Sequence, residues 1–264
     1  MKIALIQLSA GVDKAANVAQ AIDFVEQALH KGAKLVCLPE VFNYRGDTRH
    51  KETVRAMAEN IPGASTQPLL RLAKFHKAYI LAGSILESAS NGKAYNTSVL
   101  INPAAKIIAK YRKIHLFDAR LGDKIIKESQ CFNPGKLPVT ATLGDFKAGL
   151  SVCYDLRFPG LYGQYAKKRA DLLFVPSCFT QKTGAAHWEV LLRARAIENL
   201  SYVLAPNQVG SDFRGVASYG NSMIVSPWGE VIARASGDKQ EIIYGDISVD
   251  QVTQARNILP GIIK

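Results

Sequence analysis

The stretch KIALIQLSAGVDKAANVAQAIDFVEQALHKGAKLVCLPE, residues 2–40, decides the fold class. The apolar run from Ile3 to Leu8 predicts a short buried strand. Apolar residues at helical spacing then predict a helix over 17–31. A second apolar strand over 34–39 leads directly to Glu40. A strand, a helix and a strand in this order form a βαβ unit, which predicts an α/β fold.

The alternation of strands and helices continues along the chain. Asn91-Gly92 predicts a tight turn between two strands, and the irregular stretch 112–138 predicts a long functional loop. The pattern indicates a mixed-sheet fold with two facing sheets and outer helices. Without a low-complexity linker, we predict one domain over 1–264. Further helices are predicted over 66–77, 158–169 and 186–200, and strands over 79–86, 94–101, 106–111, 147–154, 172–176, 202–205, 223–226, 230–233 and 242–247.

Composition indicates an ordinary globular protein. Hydrophobic residues make up 48% and charged residues 21% of the 264, which excludes a disordered chain. No apolar run approaches the roughly 18 residues that cross a bilayer, and the N-terminus is typical of a strand rather than a secretory signal. We therefore expect no membrane association and a cytoplasmic location.

The positive charge does not by itself identify a ligand. Lys and Arg number 33 against 22 Asp and Glu, so 33 − 22 gives a net charge of +11. The basic residues are scattered, with short clusters at 111–113 and 167–169, and we expect no nucleic acid partner. Attraction of small anionic substrates fits the same charge.

The cysteines and histidines show no local metal motif. No CxxC, HxxxH or HxH spacing occurs, so we predict free thiols and no local metal site, and a metal site assembled from distant residues stays open. The residues concerned are Cys37, Cys131, Cys153 and Cys178, and His30, His50, His76, His115 and His187.

Cys153 is the first candidate nucleophile. It lies at the end of the predicted strand 147–154, where the chain turns towards a helix beginning near Pro159. A cysteine at such a junction faces the positive end of a helix dipole, which favours the thiolate. The alternative is a small buried hydrophobic side chain, since free cysteines are often buried.

Two charged residues also follow predicted strands. Glu40 is either a loop carboxylate or a general base in the crevice at the carboxyl end of the sheet. Lys113 is either solvated or directed inward, where it stabilises an oxyanion or an ionised thiol. Together with the cysteine they indicate nucleophilic catalysis. A cysteine–histidine hydrolase with His115 or His187 as base is the competing arrangement, and spacing does not choose between the two.

Three motifs resemble those of the nitrilase superfamily, the carbon–nitrogen hydrolases with a Glu-Lys-Cys triad. LPE (38–40) is similar to the glutamate motif, YRKIHLFD (111–118) to the lysine motif and SVCYDLRFP (151–159) to the cysteine motif. The similarity extends to PWGEVIARA (227–235). The resemblance implies a four-layer αββα sandwich with helices outside two mixed sheets, assembled as a homodimer or a higher homo-oligomer.

The same resemblance implies roles for individual residues. Cys153 would attack an amide carbonyl to give a thioester, and Glu40 would transfer the protons. Lys113 and the backbone N–H of Tyr154 would hold the oxyanion. Glu128 matches the second glutamate of the superfamily, which positions the lysine and the substrate. No metal or organic cofactor is implied.

The stretch 179–199 resembles the small-amidase branch, which contains the deaminated glutathione amidases and the ω-amidases. RFP (157–159) and QVG (208–210) are similar to the former, whereas Phe42-Asn43 is similar to the latter. We therefore expect a metabolite-repair amidase that cleaves deaminated glutathione to α-ketoglutarate and cysteinylglycine. The alternative is an ω-amidase acting on α-ketoglutaramate, or another short aliphatic amidase. A non-catalytic protein that binds anions or nucleic acid is the alternative from a different class.

Both candidate substrates carry a carboxylate beside a keto group, which requires a cationic anchor. Arg157 is four residues after the cysteine and its guanidinium fits a carboxylate. Thr180 would add a hydroxyl. The alternatives are an ion pair between Arg157 and Asp155 and a helix-capping role for Thr180. A small anionic amide is thus the expected partner.

Overall fold

The computed structural model describes residues 1–121 and 124–261. The first half of the chain forms one sheet with helices on its outer face. Its strands are β1 (Lys2–Gln7), β2 (Leu35–Cys37), β3 (Tyr79–Ser88), β4 (Ala94–Ile101) and β5 (Ile107–Arg112), and its helices are α1 (Lys14–His30), α2 (Lys51–Met57) and α3 (Gln67–His76).

The second half begins with a hairpin of β6 (Asp118–Leu121) and β7 (Lys124–Lys127) and then forms a second sheet. Short 3₁₀ helices cover Glu128–Gln130 and Cys153–Arg157. The remaining elements are β8 (Val139–Leu143), β9 (Phe146–Leu150), α4 (Pro159–Lys167), β10 (Leu172–Phe174), α5 (Gln181–Asn199), β11 (Tyr202–Ala205), β12 (Met223–Val225), β13 (Val231–Arg234), β14 (Glu241–Asp246) and α6 (Val249–Ile258).

The two six-stranded sheets have matching topologies. Their orders are β14-β1-β2-β3-β4-β5 and β13-β12-β11-β10-β9-β8. Each has three parallel strands in its interior, β1 to β3 in one and β9 to β11 in the other. Antiparallel strands flank these on both sides. The parallel strands end at the same edge in each sheet, which is where α/β folds place their sites.

Apolar side chains fill three interfaces between four layers. Leu5 on the first sheet and Leu150 on the second belong to one buried core between the sheets. On the outer face of the first sheet, Ile6 packs with Val25 of α1. Trp188 of α5 is fully buried in the core that includes the second sheet. The predicted αββα sandwich is therefore confirmed.

The sequence pattern missed two helices and three strands and misplaced several boundaries. In α2 only Val54 is buried, and in α6 only Val252 and Ala255, so neither has a strong apolar period. The predicted loop 112–138 contains the β6/β7 hairpin, and β8 follows it. α5 begins at Gln181 rather than at residue 186, and β9 ends at Leu150 rather than at residue 154. A single domain over the whole chain stays a prediction.

No helix among the described residues is long and apolar enough to cross a bilayer.

A bulge in β3 packs against the backbone that follows β2. The register with β4 shifts between Ala82 and Ile85, and a Cβ on Gly83 would lie 1.9 Å from the carbonyl oxygen of Pro39. Ser84 next to it accepts a hydrogen bond of 2.9 Å from the N–H of Val41. Only a residue without a side chain allows the two backbones to approach this closely. The bulge therefore fixes the segment that carries Glu40.

We expect Gly83→Ala to lower the free energy of unfolding by at least about 1–3 kcal/mol, because the added methyl group overlaps backbone atoms that cannot move aside. Urea denaturation followed by circular dichroism measures the change. Gly163→Ala is the matched control, since a Cβ there meets nothing within 4 Å and alanine in a helix is favoured by about 0.5–1 kcal/mol. Equal stabilities for the two variants would contradict the packing argument.

Candidate active site

A buried lysine ammonium lies at the centre of the site. Lys113 follows β5 and is only 1% exposed. Its Nζ lies 2.9 Å from Oε1 of Glu40 and 2.9 Å from Oε2 of Glu128. Burial lowers the pKa of Lys113, but the attraction of Glu128 and Glu40 outweighs it and holds the pKa well above its usual value. The ammonium is therefore charged throughout the neutral range.

The Glu40 carboxylate is fixed by donors from both sheets. Asn96 on β4 donates from Nδ2 to Oε1 at 2.9 Å, where Lys113 also donates. The backbone N–H of Cys178, beyond β10, donates to Oε2 at 2.8 Å. Gln208 donates to the Glu40 carbonyl at 2.8 Å. Three donors to the carboxylate leave it little freedom to rotate.

Backbone strain accompanies the position of Glu40. Val41, the next residue, has a φ of 48°, an angle that a β-branched side chain rarely adopts. Its N–H is held by Ser84. The surrounding contacts impose this conformation on the chain, a feature that clusters at functional sites.

Glu128 begins the 3₁₀ helix after the hairpin and faces the lysine from the other side. Its Oε2 accepts a hydrogen bond of 2.7 Å from the N–H of Phe117. Burial raises the pKa of Glu128, and Lys113 partly offsets this. Two carboxylates around one ammonium leave one formal negative charge in the cluster.

Cys153 lies on a tight turn beside these groups. Its N–H donates to the carbonyl of Pro176 at 3.0 Å, and its φ of 49° places it in a conformation that non-glycine residues rarely adopt. Burial raises the pKa of the Cys153 thiol well above its usual value, and the charge of Glu40 raises it further.

This direction of the pKa shift opposes the thiolate that the position of Cys153 in the sequence favours. The residue lies on a five-residue 3₁₀ helix rather than ahead of a long α-helix, so the dipole is small. Burial and the Glu40 carboxylate outweigh the opposite effect of Lys113. The protonated thiol requires a base before it can act as a nucleophile.

A buried aspartate connects the lysine segment to the cysteine turn. Asp155 is fully buried, and its Oδ2 accepts from the Tyr111 hydroxyl at 2.7 Å and from the Val152 N–H at 2.9 Å. Its Oδ1 accepts from the His115 N–H at 2.9 Å and lies 2.7 Å from Nδ1 of the same histidine. Burial raises the pKa of Tyr111, so its hydroxyl stays protonated and donates.

Two adjoining spaces border Cys153. The main cleft, about 120 Å³, is bordered by the three charged residues above together with Arg45, Cys153 and Cys178. The side pocket, about 20 Å³, is bordered by Cys153, Tyr154, Arg157, Cys178, Thr180 and Thr183. The predicted triad, Glu128 and both predicted substrate contacts thus lie around one cysteine.

The structure shows neither an ion pair between Arg157 and Asp155 nor a capping bond from the side chain of Thr180. The Arg157 guanidinium lies 3.3 Å from Nδ1 of His187 and over the ring of Phe179, whereas Asp155 is occupied by other donors. Thr180 is the N-cap residue of α5, but its side chain makes no capping bond; its hydroxyl lies 2.8 Å from that of Thr183.

The histidines do not form a cysteine–histidine pair. The His115 ring binds Asp155 and stacks on Phe158 at 3.6 Å, and His187 lies beside Arg157. Neither borders the two spaces as the structure describes them. Within residues 1–121 and 124–261, no three His, Cys, Asp or Glu side chains group as metal ligands.

Sequence reasoning missed three residues of the site. Asn96 carried a signal, because an amide inside the apolar strand AYNTSVLI needs a buried partner. Cys178 has no charged neighbour in sequence, yet its N–H donates to Glu40. Arg45 gave no signal, since it lies in a loop among other polar residues.

We expect Asp155→Asn to lower the free energy of unfolding by about 2–4 kcal/mol, because the amide group would replace one acceptor oxygen and leave buried donors unpaired. Asp145→Asn, in the exposed turn between β8 and β9, is the control and should change stability by less than about 0.5 kcal/mol. Chemical denaturation measures both. A similar small change for both variants would refute the structural role of Asp155.

Comparison with known proteins identifies the family of the chain. The carbon–nitrogen hydrolase family model matches residues 2–257. The chain is 40% identical over 260 residues to the human protein named omega-amidase NIT2, covering 98% of this chain and 92% of that protein. The crystal structure of Saccharomyces cerevisiae Nit3, a member of branch 10 of the nitrilase superfamily, is 34% identical with a TM-score of 0.87, covering 99% and 94% of the two chains.

The C. elegans NitFhit structure is 33% identical with a TM-score of 0.89, and this chain covers 63% of it and 98% of its own length. These matches extend over almost the whole chain. The chain belongs to the carbon–nitrogen hydrolase family of the nitrilase superfamily and is a hydrolase of carbon–nitrogen bonds other than peptide bonds.

Proposed function

We propose that this amidase is an ω-amidase, which hydrolyses the terminal amide of α-ketoglutaramate to α-ketoglutarate and ammonia. The observation that carries the reaction is the Lys113 ammonium held between Glu40 and Glu128 beside the Cys153 thiol. The similarity to human omega-amidase NIT2 favours this substrate over deaminated glutathione, the first expectation from the sequence.

In the first half of the reaction Glu40 takes the proton of the Cys153 thiol. The sulfur then attacks the amide carbonyl carbon, and the carbonyl oxygen becomes an oxyanion. The Lys113 ammonium and the backbone N–H of Tyr154 stabilise this charge. Glu40 returns the proton to the nitrogen, the carbon–nitrogen bond breaks, and ammonia leaves a thioester on Cys153.

In the second half Glu40 removes a proton from water, which attacks the thioester. The carbon–sulfur bond breaks, the thiol regains a proton and the carboxylic acid leaves. Because Lys113 stays charged, it acts electrostatically and is not the base. Glu128 has no direct part in proton transfer here; it positions the ammonium.

The carboxylate of the acyl half would bind in the side pocket. Arg157 supplies a guanidinium and Thr180 a hydroxyl, the pair expected for a carboxylate next to a keto group. The rings of Tyr154 and Phe179 lie near that guanidinium and limit its contact with water.

We expect the protein to release α-ketoglutarate from α-ketoglutaramate with a higher kcat/KM than from deaminated glutathione. Cys153→Ala should lower turnover by at least about 10³-fold, because the nucleophile is lost. Cys131→Ala, a buried cysteine outside both spaces, is the matched control. Turnover that survives in Cys153→Ala would overturn the mechanism, whereas preference for deaminated glutathione would restore the first expectation.

Glu40→Gln should uncouple thiol reactivity from turnover. Removal of the carboxylate lowers the pKa of Cys153, since that charge raises it. In the wild type, the rate of alkylation by iodoacetamide should therefore increase only at pH values above 9.0, the usual pKa of a cysteine. In the variant, the same increase should occur at a lower pH. Turnover should nevertheless fall by about 10²-fold or more, because the base is lost.

Mass spectrometry of the Cys153 peptide gives the alkylation rate and separates it from Cys178. Glu26→Gln, on α1, serves as the control variant. If the alkylation rate of Glu40→Gln increases at the same pH as that of the wild type, or at a higher pH, Glu40 does not act on this thiol.

A further inference from the structure

The loop after β2 places a buried arginine in the wall of the main cleft. Arg45 is 6% exposed. Its guanidinium donates to the carbonyls of Val209, Gly210 and Val216 and, at 2.7 Å, to the Ser218 hydroxyl. All four acceptors are uncharged and belong to the segment 209–218.

No carboxylate of the described residues pairs directly with this guanidinium. Among the residues that the structure describes, no carboxylate oxygen lies within 4.0 Å of Arg45. Asp212, which also borders the main cleft, is paired with Arg214 at 3.1 Å. The Nε atom of Arg45 is buried without a hydrogen-bond partner in the described structure. Buried charges are normally paired, so an anion in the cleft would complete this environment.

Arg45 and Arg157 border different spaces next to Cys153, and Cys178 and Thr180 border both spaces. Arg157 borders only the side pocket, which includes neither Glu40 nor Lys113 in its described lining. Arg45 borders the main cleft with both of them. Ser218 connects Arg45 to Cys178 through contacts of 2.7 and 3.4 Å, and the N–H of Cys178 binds Glu40.

The proton transfer assigns one half of the substrate to each of these two spaces. The leaving nitrogen takes its proton from Glu40, so the amine half of the substrate lies on the Glu40 side of Cys153. The acyl half then extends towards Arg157. An anionic group on the amine half would consequently meet Arg45.

We propose that Arg45 forms a second anion subsite, which binds a carboxylate on the leaving amine. This inference rests on the proposed function, because it takes its direction from Glu40. The substrate class is an acid amide whose nitrogen carries a short carboxyalkyl group. Water adds to the acyl carbon, the carbon–nitrogen bond breaks, and the products are a dicarboxylate and an amino acid.

Three short substrates test the subsite. Succinamate releases ammonia, N-succinylglycine releases glycine, and N-succinylglycinamide releases glycinamide; the last two differ only in the charge on the leaving amine. Succinate release gives kcat/KM for each. We expect the wild type to prefer N-succinylglycine to N-succinylglycinamide by about tenfold or more, the usual value of one hydrogen-bonded charge pair.

Arg45→Met removes the charge at similar length, and the ratio of the two kcat/KM values should fall to near one. Both substrates react at the same triad. A general loss of activity caused by a displaced 209–218 segment would therefore lower both kcat/KM values equally and leave their ratio unchanged. Arg45→Lys keeps a charge and should retain part of the preference. Arg157→Met, on the acyl side, should lower kcat/KM for both substrates and leave their ratio intact.

Two results would overturn the subsite: a wild-type ratio near one, or an unchanged ratio in Arg45→Met. If that variant does not fold, the wild-type ratio and Arg45→Lys still decide. Hydrolysis of succinamate without either glycine derivative also overturns it but leaves the proposed function intact. Inactivity of the wild type on succinamate and on α-ketoglutaramate would instead overturn the proposed function itself.

Discussion

The arrangement of the site depends on the neutralisation of one buried ammonium group. Lys113 is almost inaccessible to water, and a lone charge at that depth would cost several kcal/mol. Two carboxylates offset this cost: Glu40 lies 73 residues before the lysine in sequence, and Glu128 lies 15 residues after it. The end of β2 and the turn after β7 must therefore both reach the end of β5. Glu40 is then held in one orientation near the thiol, and its charge raises the pKa of that thiol.

The second constraint is that the two sheets contribute different chemical groups. The first sheet provides the lysine and the glutamate, and the second provides the cysteine. Asp155 joins them, because it belongs to the cysteine turn but binds Tyr111 and His115 on either side of the lysine. The bulge at Gly83 packs against the backbone of Pro39, the residue before Glu40. Packing between the sheets is thus also what sets the distances between reactive atoms, so stability and catalysis share the same contacts.

Much of this was accessible from sequence, for identifiable reasons. Long apolar runs predicted the central strands, and three motifs at strand ends located Glu40, Lys113 and Cys153. Elements that bury one or two side chains, such as α2, left no periodic signal. The sequence position favours a thiolate at Cys153, whereas burial, a tertiary property, raises the pKa of its thiol. Arg45 and Cys178 contact neighbours that the fold brings to them, so their sequence surroundings say nothing about them.

The first sheet is complete only when β14 pairs with β1. Lys2 pairs with Asp246 and Gln7 with Glu241, so one edge of β1 stays open until β14 has been synthesised. At about 5–20 residues per second, a ribosome needs roughly 12–50 s to reach that point. During this time an apolar strand with unpaired backbone groups is available to other chains. The nascent protein is therefore vulnerable to aggregation until β14 is synthesised, and a chaperone that covers β1 would protect it during that time.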